Sequence, residues 1–224
     1  MLETVQSIYK QVDRVFIVLN EYKNVPQELN LFGNIEAIIP NHNLKDTGKF
    51  YFSPDTNDIV FTIDDDIIYP PDYVTKTLRQ AERIGLDKNI VGYQANTWVY
   101  KKNLNSFGWR NFMFFKPLKK LCLVDVIGTG TACMLGKNTP MLLPLKGSEG
   151  FVDIRYSNIQ KDNFRKCWSL PRAGEYLKRN LPDHLQGSSL FNTVTRNGTP
   201  ELYGETSLLM SKIRATIKKT DGLK

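Results

Sequence analysis

Apolar and polar positions alternate between two periods along the first half of this chain. Leu2, Val5, Ile8 and Tyr9 recur at helical spacing, and Arg14 to Asn20 then reads as a short buried strand. Ile35 to Ile39 predicts a second strand, stopped by Pro40, after a loop that contains Pro26. Asp58 to Ile63 is the clearest strand, because β-branched and aromatic residues run without a break into Asp64, Asp65 and Asp66. Pro70-Pro71 opens a helix predicted over Asp72 to Ile84, and Gly85 ends it.

Ile90 to Tyr93 returns as a strand, Trp98 to Lys120 reads as hairpins and loops, and Leu121 to Ile127 predicts one more strand ending at Gly128-Thr-Gly-Thr131. From about Asn180 the chain turns polar before an amphipathic helix from roughly Ser207 to Lys218. Alternating strands and helices predict the α/β class: a mixed, mostly parallel central sheet flanked by helices, with ligands at the carboxyl ends of the strands. Residues 1–180 form the expected catalytic domain and 181–224 a tail or lid.

Composition narrows the picture. With 224 residues, 41% of them apolar, the chain can bury a substantial core. Thirty basic against 23 acidic residues leave +7, which points to an anionic partner such as a nucleotide, a phospholipid surface or a charged glycan. Cys122, Cys133 and Cys167 are odd in number and lack C-x-x-C spacing, so neither a disulfide framework nor a zinc site is expected, and a reducing compartment is the default. Apolar runs such as Val15 to Leu19 fall far short of the roughly 18 residues of a membrane span, and Met1 leads into a polar helix. The expectation is a chain neither integral to a membrane nor secreted.

Three adjacent carboxylates at a strand end repel one another unless a cation or donors compensate. Magnesium and manganese bind through one or two carboxylates plus substrate phosphates, which Asp64 and Asp66, or Asp66 alone, could supply; on an extended backbone Asp64 and Asp66 share a face while Asp65 points elsewhere. A solvated acidic junction is the alternative. Lys49 is placed to offset diphosphate charge, or else lies on the surface. Gly128, Thr129 and Gly130 could bring backbone N–H groups to a ligand, or form a simple turn. Asp153 is the candidate general base, with Glu149 in reserve; a helix-start carboxylate beside Arg155 is the competing reading. His184 could complete a metal shell, and His42 reads as a loop residue. Trp98, Tyr100, Phe107, Trp109 and Phe112, interleaved with Lys101, Lys102 and Arg110, suit an acceptor platform, a membrane contact or core packing.

The segment Val60-Phe-Thr-Ile-Asp-Asp-Asp-Ile-Ile-Tyr-Pro-Pro-Asp-Tyr73 resembles the D-x-D region of bacterial, family-2-like glycosyltransferases with the GT-A fold. Val18 to Tyr22 with Pro26, Asp46-Thr-Gly-Lys49, Val91-Gly-Tyr93, Asp125 to Gly130 and Phe151 to Arg155 fit that family in order, over residues 2–180. The resemblance implies a GT-A-like, Rossmann-like sheet, with Asp66 on Mn2+ or Mg2+ and Asp64 on the donor ribose or the metal. Asp46 and Lys49 would lie along the nucleotide pocket. It further implies a nucleotide-sugar donor such as a UDP-sugar, a glycan or lipid-linked glycan acceptor, cytoplasmic work at the membrane face, and no nucleic acid. Members of that family open on a strand and an arginine-bearing turn that do not precede Leu2 here. A nucleotidyltransferase, which would bring a glycine-rich basic loop, and a catalytically degenerate glycan- or polyanion-binding module are the competing expectations.

Overall fold

The computed structural model describes residues 1–101, 106–181 and 198–221. Helix α1 (Leu2–Ile8) leads into β1 (Val15–Val18), which pairs in parallel with β2 (Ile35–Ile38). Strand β3 (Ile59–Ile63) passes through the aspartate triplet into β4 (Ile67–Ile68) and α2 (Tyr73–Glu82). Next come β5 (Asn89–Gly92), the hairpin β6 (Ala95–Lys101) and β7 (Ser106–Phe112), β8 (Cys122–Val124), β9 (Val126–Ile127) and β10 (Thr131–Leu135). Helix α3 (Val152–Asp162), β11 (Lys166–Ser169), β12 (Lys178–Arg179) and α4 (Pro200–Asp221) complete the described chain.

The largest sheet has the order β3-β10-β5-β11-β8. Within it β3–β10, β10–β5 and β11–β8 are antiparallel, and β5–β11 is the parallel pair. Three smaller sheets stand apart: parallel β1–β2, antiparallel β12–β4 and antiparallel β7-β6-β9. The expected mostly parallel, GT-A-like (Rossmann-like) central sheet is therefore incorrect, and the molecule is a mixed α/β structure with several small antiparallel and mixed sheets. The physical reason is that an unbroken apolar run reports burial on both faces, not strand direction, which the connections decide. Strand β10 lies antiparallel between β3 and β5, where the sequence gives no separate signal for it.

The two faces can be read along β10. Ala132 and Met134 join a core with Ile90, Val152 and Tyr156 beside α3, while Cys133 joins Val91, Tyr73, Tyr93 and Ala81 beside α2. This is period-two alternation with both faces covered, each large apolar side chain contributing about 1.5–3 kcal/mol by burial. All three cysteines are free.

Two local expectations change as well. Leu121 to Ile127 is not one strand but two in different sheets. Asp125 turns the chain between them, accepting hydrogen bonds from Thr97 Oγ1 at 2.6 Å and the Trp98 N–H at 3.0 Å. The terminal helix starts at Pro200, not near Ser207, with Thr199 Oγ1 accepting from the Leu202 N–H at 3.2 Å. Leu202, Leu209 and Ile213 are buried on its inner face. Among the described residues, no helix is long and apolar enough to cross a membrane.

Candidate active site

The acidic triplet does not continue β3 as an extended face. Asp64 ends the strand, and Asp65 and Asp66 form the turn that delivers Ile67 to β4. The turn is held from three sides. Thr4 Oγ1 donates to the Asp65 carbonyl at 2.7 Å, Asn180 N–H donates to the Asp66 carbonyl at 2.7 Å, and the Asp64 N–H donates to Tyr69 Oη at 3.0 Å. The buried Tyr69 hydroxyl in turn donates to the Gly130 carbonyl at 2.6 Å, tying the end of β3 to the start of β10.

Side-chain placement follows from that turn. Asp64 Oδ1 lies 2.5 Å from Lys49 Nζ, and the two side chains are 38% and 18% exposed. A Cβ built on Gly130 would stand 1.8 Å from Asp64 Oδ2, so only glycine leaves room for this carboxylate. Asp65 is exposed. Asp66 is partly buried, and burial, then its neighbours Asp64 and Asp65, push its pKa up to about 6.

Lys49 reaches this point from a two-turn 3-10 helix, Lys45–Phe50, whose Thr47, Gly48 and Phe50 are buried. Burial opposes its charge, yet Asp64, Asp153 and Asp46 outweigh that penalty and hold its pKa above the usual lysine range. Asp46, on the same turn, accepts from the Gly150 N–H at 2.6 Å and the Val152 N–H at 3.3 Å, fixing the entry to α3. Asp153, in the first turn of α3, accepts at Oδ1 from the Thr129 N–H at 2.8 Å and Thr129 Oγ1 at 2.7 Å. Burial raises the pKa of both carboxyls, opposed by these donors and by Lys49.

Asp46, Lys49, Asp64, Asp66, Thr129, Gly130 and Asp153, dispersed over more than a hundred positions, thus meet at one rim. Glu149 is committed elsewhere: its carboxylate accepts from the Gly147 N–H at 3.1 Å and closes a local turn. Gly128 serves packing, since a Cβ there would stand 2.6 Å from Gln94 Cγ. His184 lies outside the described residues. His42 is an exposed loop residue beside a depression of about 150 Å³ lined also by Ile39, Tyr51 and Leu142. A larger one, about 500 Å³, runs along α4 past Thr206, Met210 and Arg214, away from the carboxylates. In the aromatic stretch, Phe112 is buried and Trp98 packs edge-on against the half-exposed Trp109 at 4.3 Å. Tyr69 and Thr4 escaped the sequence reading, because a hydroxyl that bridges backbone groups leaves no periodic mark.

Among the described residues, four carboxylates, Asp46, Asp64, Asp66 and Asp153, share the ammonium of Lys49. Among the described residues, no group of three or more His, Cys, Asp or Glu side chains is arranged to hold a metal by itself. The donor set of Asp64 and Asp66 fits Mg2+ or Mn2+ of the kind whose coordination is completed by phosphate oxygens and water. Compared with models of known protein families and with curated proteins, the sequence matches none.

Proposed function

We propose that this chain is a glycosyltransferase that moves a sugar from a nucleoside diphosphate, most simply a UDP-sugar, to a glycan hydroxyl. One observation carries the reading: a largely buried lysine is pressed against Asp64 among four carboxylates where strand ends, a glycine turn and a helix start converge. Such a rim offers both kinds of group that a diphosphate leaving group requires, a fixed positive charge and oxygen ligands for a cation. A divalent cation, held by Asp66 and Asp64, would act as a Lewis acid on the diphosphate.

The chain's own residues divide the remaining work. Thr129 fixes one oxygen of Asp153, so this carboxylate is oriented as a base. As the acceptor oxygen bonds to the anomeric carbon, the bond from that carbon to the diphosphate breaks and the acceptor proton passes to Asp153, which gives inversion. A carboxyl raised by burial holds that proton better than a solvated one. Lys49 offsets diphosphate charge, and Gly130 keeps the approach to Asp64 clear of side-chain bulk. A glycan or lipid-linked acceptor, surface polysaccharide synthesis and cytoplasmic work at the inner membrane face belong to the same proposal through the family resemblance. The local excess of carboxylates disfavours the polyanion-binding alternative, because it repels such a ligand unless a cation intervenes.

Calorimetry with UDP and Mn2+ tests the reading. Binding that is lost in Asp66→Ala supports it, followed by a screen of donor hydrolysis over a panel of sugar nucleotides. Metal-independent binding of polyanions, with no response to any nucleotide, overturns it.

A further inference from the structure

Lys49 and the cation compete for the same atoms. Asp64 Oδ1 is 2.5 Å from Lys49 Nζ, so the ammonium holds one oxygen of this carboxylate while Oδ2 is packed over Gly130. A cation that binds Asp64 through Oδ1 must displace the ammonium or share that oxygen, and one that binds through Oδ2 stands on the same carboxylate as the ammonium, where like charges repel. Lys49 is built to yield. Its backbone is anchored, because Gly48 sits against Val18, where a Cβ would stand 3.2 Å from Cγ1, and Phe50 is in the core. Its tip is a point charge on a flexible stem, which can swing to a new anion in a way that a bidentate arginine would resist.

The excess of carboxylates gives the direction of the effect. With the ammonium on Asp64, the carboxylates of Asp66, Asp46 and Asp153 still outnumber it among the described residues, although hydrogen-bond donors meet Asp46 and Asp153. Phosphate groups arriving at this rim offer Lys49 a stronger anionic partner and at the same time supply ligands to the cation. We propose that Lys49 is an internal counter-ion that occupies the cation's place on Asp64 and is drawn off by phosphate, coupling cation and nucleotide binding. The proposal rests on the transferase reading for the identity of the nucleotide, but not for the competition between Lys49 and the cation. By linkage, whatever factor the nucleotide adds to cation affinity, the cation adds to nucleotide affinity.

The test uses the full chain with Mn2+ alone, UDP alone and both, by calorimetry, in the wild type, Lys49→Met and Lys49→Gln. The wild type should bind Mn2+ weakly alone and about tenfold or more tightly with UDP. Either variant should bind Mn2+ alone about tenfold more tightly than the wild type, bind UDP less tightly at saturating Mn2+, and show little remaining coupling. Unchanged or weaker Mn2+ affinity in folded variants overturns the counter-ion role. For variants that fail to fold, the lysine ammonium resonances of ¹⁵N-labelled wild type decide instead: the Lys49 signal, identified as the one slowest to exchange, should move with Mg2+ and UDP together and stay with Mg2+ alone at the same concentration. A Lys49 signal unmoved by the pair overturns the proposal. If the variants gain Mn2+ affinity while no nucleoside diphosphate binds, the counter-ion stands and the transferase reading falls.

Discussion

Asp153 and Arg155 stand two positions apart on α3, yet they belong to clusters of opposite electrostatic kind. Arg155 Nε meets Glu205 Oε1 of α4 at 2.6 Å, and Asn158 Nδ2 donates to the Glu205 carbonyl at 3.0 Å and carboxylate at 2.8 Å. One turn on, Lys212 pairs with Asp162 at 2.7 Å. These two ion pairs match each charge with an opposite one, and Leu209 and Ile213 are buried on the same helix. At the rim, Asp153 shares the ammonium of Lys49 with Asp46, Asp64 and Asp66, so among the described residues carboxylates outnumber it. A balanced cluster joins two helices. An unbalanced one is retained against its own repulsion, and such a retained cost is a mark of a site that binds something.

That contrast can be broken at either end. Gly130→Ala should do most damage at the rim, because the new methyl occupies the place of Asp64 Oδ2; binding of UDP with Mn2+ should fall about a hundredfold, roughly 2.7 kcal/mol, by calorimetry. Unchanged binding would show that Asp64 does not need its present position. Glu205→Ala should lower stability by about 1–2 kcal/mol in a denaturant titration, since it removes the ion-pair partner of Arg155 and one of the two acceptors of Asn158, while nucleotide binding stays as it was. A loss of binding there would join the two regions that the comparison separates.

Asp66→Asn sharpens the picture through pH. The unfolded carboxyl ionises near 3.8 and the folded one near 6, so the folded state disfavours the charge. The resulting penalty is absent below pH 3.8, grows between 3.8 and 6, and is complete above 6. Asp66→Asn should therefore raise stability by about 1–2 kcal/mol at pH 7.5, after a discount for partial exposure, and by nothing at pH 3. Equal effects at both pH values would sink the assignment. Lys212→Ala, at an ion pair whose aspartate side chain is 60% exposed, should change the melting midpoint by the equivalent of about 0.5 kcal/mol or less.

The candidate site was more legible than the fold. Asp64, Asp66, Thr129, Gly130 and Asp153 were singled out from residue type and position, Lys49 from its charge ahead of the acidic strand end, and Asp46 only through the family resemblance. Such residues are conspicuous because stability alone seldom selects carboxylates and glycines at strand ends. Glu149 carried the same residue type but satisfies a turn, a distinction that one N–H from Gly147 makes and no sequence pattern encodes. The convergence of Asp64 and Asp66 was derived from alternation along a strand, whereas the structure sets them in a turn. Its anchors, Thr4, Tyr69 and Asn180, come from distant segments.

By itself the sequence determined which stretches are buried, where the first helices and strands lie, and that an acidic junction must be compensated, because burial period and charge repulsion are local properties of the chain. Only the tertiary structure decided that β10 runs antiparallel between β3 and β5, that Asp125 parts one apolar run between two sheets, and that Lys49 rests on Asp64. Strand direction and ion pairing depend on which distant segments meet, and that is settled by how all the apolar faces are covered at once.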